Sequence, residues 1–313
     1  MAIFRIFFVS ILVMVIAYRH VYSQSTSTPS CGMSNTTDTE CIMRHVSEQV
    51  AQLASKMDAS QECQVPPTYQ VDLATDNALI NDSLPENCQD IYDLGNVESG
   101  VYMIYEPVAT VQSSKFRTSS RKGINVYCDM EELFGGPGWI VFQRRQDSSV
   151  SFSRNWEEYA DGFGDLNGNL WLGNDNLAFI TNGDTTYELR IELQDWENEW
   201  RYARYASFRI EDACTEYVLR LGSFTAGDAG DSMTVNNGNR FSTPDNDNDV
   251  WPSNCASVYN MAGWWYRSCG YALLNNPYHN ASSTLVGGQG IQWFHWHGNT
   301  YSLKYVEMKL RPI

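Results

Sequence analysis

Hydrophobic residues downstream of about position 87 occur in short runs separated by turn-forming residues. Runs with the length and the β-branched and aromatic content of strands lie at 100–105, 138–142, 187–193 and 217–221. In the third of these, apolar and polar residues alternate, which predicts an antiparallel strand with one buried face. The pairs Asn182-Gly183 and Asn237-Gly238 are favoured in hairpin turns.

Helical patterns in the same region are short, and the clearest lies at 155–161. Short helices among many short strands predict an α+β domain with mostly antiparallel strands, extending from 87 to 313. No internal repeat interrupts this pattern.

A different pattern lies between Cys41 and Cys63, where spacings of four, three and four residues place Val46, Val50, Leu53 and Met57 on one helical stripe. One hypothesis is a short coiled coil clamped by disulfides to further copies of the protein. The alternatives are a marginal linker helix, since so short a helix is unstable alone in water, and an intramolecular Cys41–Cys63 link.

The first 23 residues have the features of a cleaved signal peptide, with Arg5, an apolar run at 6–17 and a cleavage site before Gln24. A membrane anchor is the alternative, but the apolar run is shorter than the ~20 residues that span a bilayer. Residues 24–86 then form a polar tail with the short helical segment and a proline-containing linker.

Charge and cysteine usage indicate an extracellular protein. The net charge of −16 argues against nucleic acid as a partner, because phosphate binding requires clustered Lys and Arg. An even number of cysteines after a signal peptide predicts a disulfide framework. The eight cysteines are Cys31, Cys41, Cys63, Cys88, Cys128, Cys214, Cys255 and Cys269. The N-glycosylation sequons lie at Asn35, Asn81 and Asn280.

Motifs in a fixed order along the C-terminal two thirds resemble the fibrinogen C-terminal domain family, which includes ficolins, tachylectins, angiopoietins and tenascins. They read VYCDM at 126–130, GWIVFQRRQD at 138–147, NWEEY at 155–159, GFGDL at 162–166, LWLGND at 170–175, GWWY at 263–266 and EMKLRP at 307–312. The resemblance implies a globular domain with a central antiparallel sheet and a loop-rich C-terminal region that binds calcium and ligand.

The same resemblance implies that Cys88 pairs with Cys128 and that Cys255 pairs with Cys269. Each bridge closes a loop of modest length and contributes about 2–4 kcal/mol by restricting the unfolded polypeptide. Cys214 has no partner within the family pattern. It is interpreted as a buried, inert thiol, with pairing outside the domain as the alternative.

A cation site is indicated by Asp245, Asp247 and Asp249, because hard oxygen ligands at alternate positions converge on one ion when the loop curls. An EF-hand does not fit, since its sixth position is Val250 rather than Gly and its twelfth is Ala256 rather than Glu. A solvated acidic turn is the remaining alternative.

The family resemblance narrows this calcium site to two carboxylates and two main-chain carbonyls upstream of the third domain cysteine. By spacing to that cysteine, they are the carboxylates of Asp247 and Asp249 and the carbonyls of Trp251 and Ser253. Calcium binding is expected to raise the thermal stability of the native state.

In lectin-like members of the family, a pocket beside this loop binds acetyl groups, and the corresponding residues here are Tyr259, Ser268, Cys269 and Gly270. The resemblance implies a cis peptide at Ser268–Cys269, which costs about 3 kcal/mol and needs enforcement by its surroundings. The residues that depart from the family pattern are Gly270, Gly287, Gly288 and Asn299. These departures replace aromatic or imidazole groups and predict a wider, less apolar cleft.

Five further aromatic or imidazole residues are candidates either for sugar contacts or for the core: Trp265, Tyr271, Tyr278, Trp293 and His295. Other motifs do not predict catalysis. The 230–232 turn faintly resembles a serine nucleophile turn without its partners, and His295 with His297 makes only half of a zinc site. The acidic run at 195–199 is interpreted as a solvated loop. The protein is therefore predicted not to be an enzyme.

These features predict a secreted, calcium-dependent, lectin-like protein that binds glycans or acetylated ligands on cell or microbial surfaces, with a role in innate immunity. Homo-oligomers formed through the N-terminal cysteines would strengthen weak single sites by multivalency. The alternative is a matrix or receptor-binding ligand of the tenascin or angiopoietin type, because a fold alone does not select among these functions.

Overall fold

A computed structural model describes residues 84–105, 123–131, 135–258, 262–279 and 287–313. The predicted signal peptide, the coiled coil, the three sequons and Tyr259 lie outside these residues. Within the described ranges, no helix has both the length and the apolar character needed to cross a bilayer.

Antiparallel pairing of short strands builds one large sheet. Its strands are β1 (Gly100–Tyr105), β2 (Gly123–Asp129), β3 (Trp139–Arg145), β4 (Phe163–Gly164), β5 (Leu170–Trp171), β6 (Tyr187–Gln194), β7 (Trp200–Ile210), β8 (Leu219–Leu221), β9 (Phe224–Ala226) and β12 (Tyr305–Pro312). The order is β1-β2-β3-β12-β6-β7-β8, with β5 paired to β3 and β4, and β9 to β7. Two further strands, β10 (Ala272–Leu273) and β11 (Gln292–Trp293), form a separate pair. The last strand in sequence thus lies at the centre of the sheet, and the predicted antiparallel architecture is confirmed.

The helices are short, as the sequence predicts. They are α1 (Cys88–Asp93), α2 (Trp156–Asp161), α3 (Asn174–Thr181), α4 (Cys255–Val258) and α5 (Phe294–His297), with 3₁₀ turns at Ala213–Thr215 and Thr234–Asn236. A capping box starts α2: the Asn155 side chain accepts from the Glu158 N–H at 2.9 Å, and the Glu158 carboxylate accepts from the Asn155 N–H at 3.0 Å.

Strand β6 has the predicted alternation, but both of its faces are buried. Leu189, Ile191 and Leu193 pack in the core, while the polar side chains on the opposite face are covered by ion pairs within the sheet. Arg190 Nε lies 2.7 Å from Glu192 Oε1, and Lys309 Nζ lies 3.0 Å from the same oxygen. The expectation of one solvated face was therefore wrong, because oppositely charged neighbours on the same strand and on the adjacent strand β12 remove that face from water.

The two Asn-Gly pairs do not form hairpins. Asn182 ends α3, and Asn237 ends the 3₁₀ turn at Thr234–Asn236. At the second pair, φ is −60° for Asn237 and +80° for Gly238, which is the type II turn geometry that requires glycine at the second position. Turn chemistry was identified correctly from the sequence, but a helical turn rather than a strand precedes each pair.

Aromatic packing joins the sheet to the loop-rich C-terminal region. The ring centroids of Trp171 and Trp265 are 5.9 Å apart, and those of Phe241 and Trp265 are 5.2 Å apart, all three rings being buried. Gly263 is required here, since a Cβ at this position would lie 2.6 Å from the ring of Tyr159 and 2.7 Å from that of Phe241.

Two side chains of β3 hold the same region by its backbone. Gln143 Nε2 and Arg145 Nη1 both donate to the carbonyl of Leu274, at 3.1 and 3.0 Å, and Arg145 also donates to the carbonyl of Asn276 at 2.8 Å. Burial lowers the pKa of Arg145 to about 10. A loop without sheet neighbours thus obtains hydrogen-bond partners from side chains.

Disulfides join Cys88 to Cys128 and Cys255 to Cys269, the pairs that the family resemblance implies. Their Cα atoms are 5.5 and 5.4 Å apart, within the range for unstrained bridges. Cys214 is exposed and disulfide-bonded, so the interpretation as a buried, inert thiol was wrong.

Asp245 attaches the acidic loop to helix α2. Its carboxylate accepts from the N–H of Trp156 at 3.0 and 3.2 Å and from Thr243 Oγ1 at 2.7 Å. The centroid of the Trp156 ring lies 5.4 Å from that of Tyr217 and 6.2 Å from that of Phe241. Asp245 therefore supports the first turn of a helix that rests on the aromatic core.

We expect Asp245→Ala to destabilise the domain by about 1 kcal/mol, because a helix N–H and a hydroxyl lose their acceptor. For a domain of this size the loss corresponds to a fall of about 2–4 °C in the unfolding midpoint, measured in EDTA. Asp247→Ala is the matched control, since Asp247 is exposed and accepts only a 3.3 Å bond from the Asp249 N–H. Equal midpoints for the two variants would contradict this assignment.

Candidate functional site

The loop that follows Asp245 is organised around the carboxylate of Asp249. Asp249 Oδ1 accepts from the N–H of Trp251 at 2.8 Å, and Oδ2 accepts from the N–H of Cys255 at 2.8 Å. The N–H of Asp249 donates to Asp247 Oδ1 at 3.3 Å. These bonds bend the backbone around Asp249, because two main-chain donors that follow it converge on its side chain.

Two asparagines, Asn248 among these acids and Asn254 after them, attach the loop to the domain interior. Asn248 Nδ2 donates to the carbonyl of Phe241 at 2.9 Å, and the Asn248 N–H donates to Ser242 Oγ at 2.9 Å. Asn254 Nδ2 donates to the carbonyl of Thr243 at 3.0 Å. Ser242 and Thr243 are fully buried, so the loop is fastened to the interior. These supporting residues were not identified from the sequence, where the alternation of Asn with Asp was an available signal for Asn248 alone.

The Cys255–Cys269 bridge closes the far side of the loop, and the N–H of Val250 donates to the carbonyl of Arg267 at 3.1 Å. The predicted cis peptide at Ser268–Cys269 was wrong, because the described residues contain only trans peptides. The backbone turns instead through a left-handed Cys269, with φ +65°, followed by Gly270 with φ +149°. This conformation reverses the backbone without the cost of a non-proline cis bond.

The electrostatics of the loop fit a cation. Burial raises the pKa of Asp249, the N–H donors of Cys255 and Trp251 oppose that change, and the nearby Asp247 carboxylate adds to it. No Lys or Arg in the described part of the protein forms an ion pair with either acid. Two adjacent carboxylates without a positive partner repel each other, and a cation or a proton relieves that repulsion.

The main-chain oxygens expected beside them also fit. The carbonyls of Trp251 and Ser253 accept no hydrogen bond from the described residues. The donor set, two carboxylates and two carbonyls, is all oxygen, as a hard divalent cation requires. Groups of three or more His, Cys, Asp or Glu around one point are absent from the described ranges, so a metal here would depend on those carbonyls and on water.

The residues that depart from the lectin-like pattern are partly brought together. A Cβ on Gly287 would lie 2.9 Å from Asn299 Nδ2, and the N–H of Gly288 donates to the Asn299 carbonyl at 2.9 Å. Gly270 lies instead beside Asn236, whose Nδ2 would be 3.2 Å from a Cβ at position 270. Small residues at these positions leave no ring for stacking, as expected from the sequence.

The five candidate sugar-contact residues differ in how much of each side chain is exposed to solvent. Trp265 and Trp293 belong to the core, at 0% and 1% exposure. Tyr278 is half-buried, and its hydroxyl donates to the Lys304 carbonyl at 2.7 Å. Tyr271 and His295 are exposed. Among the five, these last two are the ones available to a ligand.

The paired histidines do not share a site. His295 Nδ1 lies 2.9 Å from Ser232 Oγ, whereas His297 Nε2 lies 3.2 Å from the buried Asp195 Oδ2. Asp195 also accepts from the Glu199 N–H at 2.8 Å, so the interpretation of the acidic run as a wholly solvated loop was wrong at this residue. Its carboxylate is buried because the loop folds over it.

Comparisons with known proteins agree with this architecture. The family model for the C-terminal globular domain of the fibrinogen beta and gamma chains matches residues 84–313. Ryncolin-4 of Cerberus rynchops is 43% identical over 236 residues, covering 74% of this chain and 64% of that protein. Fibrinogen C domain-containing protein 1 of Xenopus tropicalis is 42% identical, covering 74% and 48%. The sequence therefore spans about half to two thirds of the length of these relatives.

A further relative is tenascin-R of Mus musculus, 41% identical, covering 74% of this chain and 16% of that protein. Among solved structures, the fibrinogen-like domain of human ANGPTL2 superposes with a TM-score of 0.65 at 37% identity, covering 73% of this chain and 99% of that one. The lamprey fibrin D-dimer, complexed with the peptide Gly-His-Arg-Pro-amide, has a TM-score of 0.63 at 28% identity, covering 99% and 94%. With the family match over most of its length, the protein belongs to the fibrinogen C-terminal domain family.

Proposed function

We propose that this protein is a secreted, calcium-dependent recognition protein whose fibrinogen-like domain binds glycan or acetylated groups on cell or microbial surfaces. The observation that carries the proposal is the acidic loop. Asp247 and Asp249 lie side by side, and the carbonyls of Trp251 and Ser253 accept no hydrogen bond from the described residues. The similarity to ryncolin-4 and to fibrinogen C domain-containing protein 1 supports a recognition role.

Each part of the loop has a separate task in this proposal. Asp247 and Asp249 would hold Ca²⁺ together with the two carbonyls. Asn248, which lies between the two acids, fixes their position through its bond to buried Ser242. Calcium, when bound, supplies the positive charge that neutralises the paired carboxylates. The Cys255–Cys269 bridge ties the loop to the segment that continues into Gly270 and the exposed Tyr271.

The N-terminal part completes the proposal. Residues 1–23 would direct secretion, and 24–86 would join copies of the protein through Cys31, Cys41 or Cys63. Glycans at Asn35, Asn81 and Asn280 accord with that route. Several linked domains would bind a repetitive surface far more tightly than one. We propose binding rather than catalysis as the activity, in keeping with the domain family.

A second candidate function is a matrix or receptor-binding ligand. The similarity to tenascin-R and to the human ANGPTL2 domain favours it. Gly270 in place of the family's histidine, and Gly287 and Asn299 in place of aromatic residues, point the same way. A wider and less apolar cleft suits a protein partner as well as a sugar.

Calcium binding is tested by thermal unfolding of the full-length protein in Ca²⁺ and in EDTA. At a calcium concentration 100 times the dissociation constant, ligand linkage stabilises the native state by about 2.7 kcal/mol, or roughly 5–10 °C for a domain of this size. Asp247→Ala and Asp249→Ala should abolish the shift, because each removes a ligand. Asp245→Ala, in contrast, should lower both curves and retain the shift. Superimposable curves for the wild type in the two buffers would refute the calcium site.

The choice between the two functions is tested on a glycan array that includes acetylated sugars, probed with Ca²⁺ and with EDTA. The lectin proposal predicts signals that disappear in EDTA and in Asp249→Ala. Signals that are absent in both buffers, together with calcium-dependent binding to a cell-surface protein, would favour the matrix or receptor-ligand function instead.

A further inference from the structure

Two motifs that the proposed function does not use come together in space. The turn that contains Gly230 and Ser232 contacts His295, which precedes the final strand by ten residues. Ser232 is fully buried, and its Oγ accepts from the His295 N–H at 3.0 Å. Gly230, with φ +74°, makes this approach possible, since a Cβ there would lie 2.9 Å from the His295 Cβ.

Ser232 also fixes the state of the imidazole ring. Its hydroxyl must donate a hydrogen, and among the described residues the acceptor at hydrogen-bond distance is His295 Nδ1, 2.9 Å away. The main-chain N–H of His295 is a donor and cannot take that hydrogen. A buried hydroxyl hydrogen without an acceptor is costly, so Nδ1 is held as the acceptor. The neutral ring then carries its proton on Nε2.

Two exposed aromatic rings stand next to this histidine. Tyr271 and Phe294 are stacked, with centroids 4.8 Å apart and planes at 25°, and their exposures are 44% and 40%. The His295 ring is edge-on to both rings, and its centroid lies 5.7 Å from each of their centroids. The N–H of Phe294 donates to the Tyr271 carbonyl at 2.9 Å, which fixes the two backbones to each other. The result is a rigid aromatic platform with an imidazole N–H beside it.

We propose that Tyr271, Phe294 and His295 form a subsite for a neutral pyranose ring. A pyranoside with equatorial hydroxyls has an apolar C–H face that stacks on an aromatic ring and a rim of oxygens that accepts from an N–H donor. Because Tyr271 and Phe294 stack on each other, the pair offers the outer face of one ring, which matches one sugar unit. A stable protein interface, in contrast, needs about 800 Å² on each partner. The net charge of −16 disfavours an anionic lipid or nucleic acid as the occupant.

The subsite rests on the proposed lectin function for its class of ligand but not on calcium for its contacts. Tyr271 follows Cys269 by two residues, so the platform begins where the bridge of the acidic loop ends. A glycan could therefore extend from the calcium-bearing loop onto these rings. It would find there the stacking that Gly270, Gly287 and Asn299 cannot provide.

The test is saturation-transfer NMR and titration with methyl β-D-glucopyranoside on the full-length protein. Saturation should concentrate on the protons of one sugar face. Phe294→Ala and Tyr271→Ala should each weaken binding about tenfold, and Tyr271→Phe, which keeps the ring, should retain most of it. His295→Ala should weaken binding by a smaller factor. Met103→Ala, which removes an equally exposed apolar side chain from strand β1, is the control and should bind normally.

The positioning role of Ser232 has its own readout. Nitrogen NMR of His295 should show the Nε2–H tautomer in the wild type, and Ser232→Ala should release it to a mixture with weaker sugar binding. An unchanged tautomer would overturn this role. Sugar binding that is absent in the wild type, or unaffected by Phe294→Ala, would overturn the subsite even where the glycan array is positive. A negative array with saturation still on these rings would refute the calcium-dependent lectin function and leave the subsite standing.

Discussion

The C-terminal region of this domain has to satisfy its backbone hydrogen bonds without the help of a large sheet, and this constraint shapes the rest of the structure. Buried main-chain groups that lack a partner are costly, and strands β10 and β11 pair over only two residues each. Side chains therefore take the place of neighbouring strands. Asp249 accepts from two N–H groups, and Gln143 and Arg145 reach from β3 to carbonyls in the loops.

The residues that hold these loops in place, here called the frame, are therefore different from the residues that a ligand would contact. The frame consists of side chains that bond to the interior or to α2, namely those of Asn248, Asn254 and Asp245. The aromatic cluster around Trp265 packs beneath the segment to which they bond. The positions where this domain departs from the lectin-like pattern have a different effect. Glycine at 270 and 287 offers a ligand no side chain, and Gly270 also allows the backbone reversal after Cys269. Domains of one family can in this way share a scaffold and differ in what they bind.

Much of the frame could be predicted from the sequence, because it depends on local patterns. The alternation at 187–193, the helical pattern at 155–161 and the family motifs identify the sheet, helix α2 and the fold class. Contacts between distant segments could not be predicted in this way. Burial of the charged face of β6 depends on Lys309, over 100 positions later, and the fixed ring of His295 depends on Ser232. The exposure of Cys214 and the left-handed turn at Cys269 were likewise not predicted from the sequence.

Carboxylate oxygens, rather than sheet pairing, hold the acidic loop, and the proposed cation would strengthen this arrangement. Amide hydrogen exchange at Trp251 and Cys255 tests both statements most directly. We predict measurable protection in EDTA, greater protection in Ca²⁺, and exchange at least about tenfold faster in Asp249→Ala, with the amide of Leu193 in β6 unchanged. Equal exchange at Trp251 and Cys255 under all three conditions would contradict them.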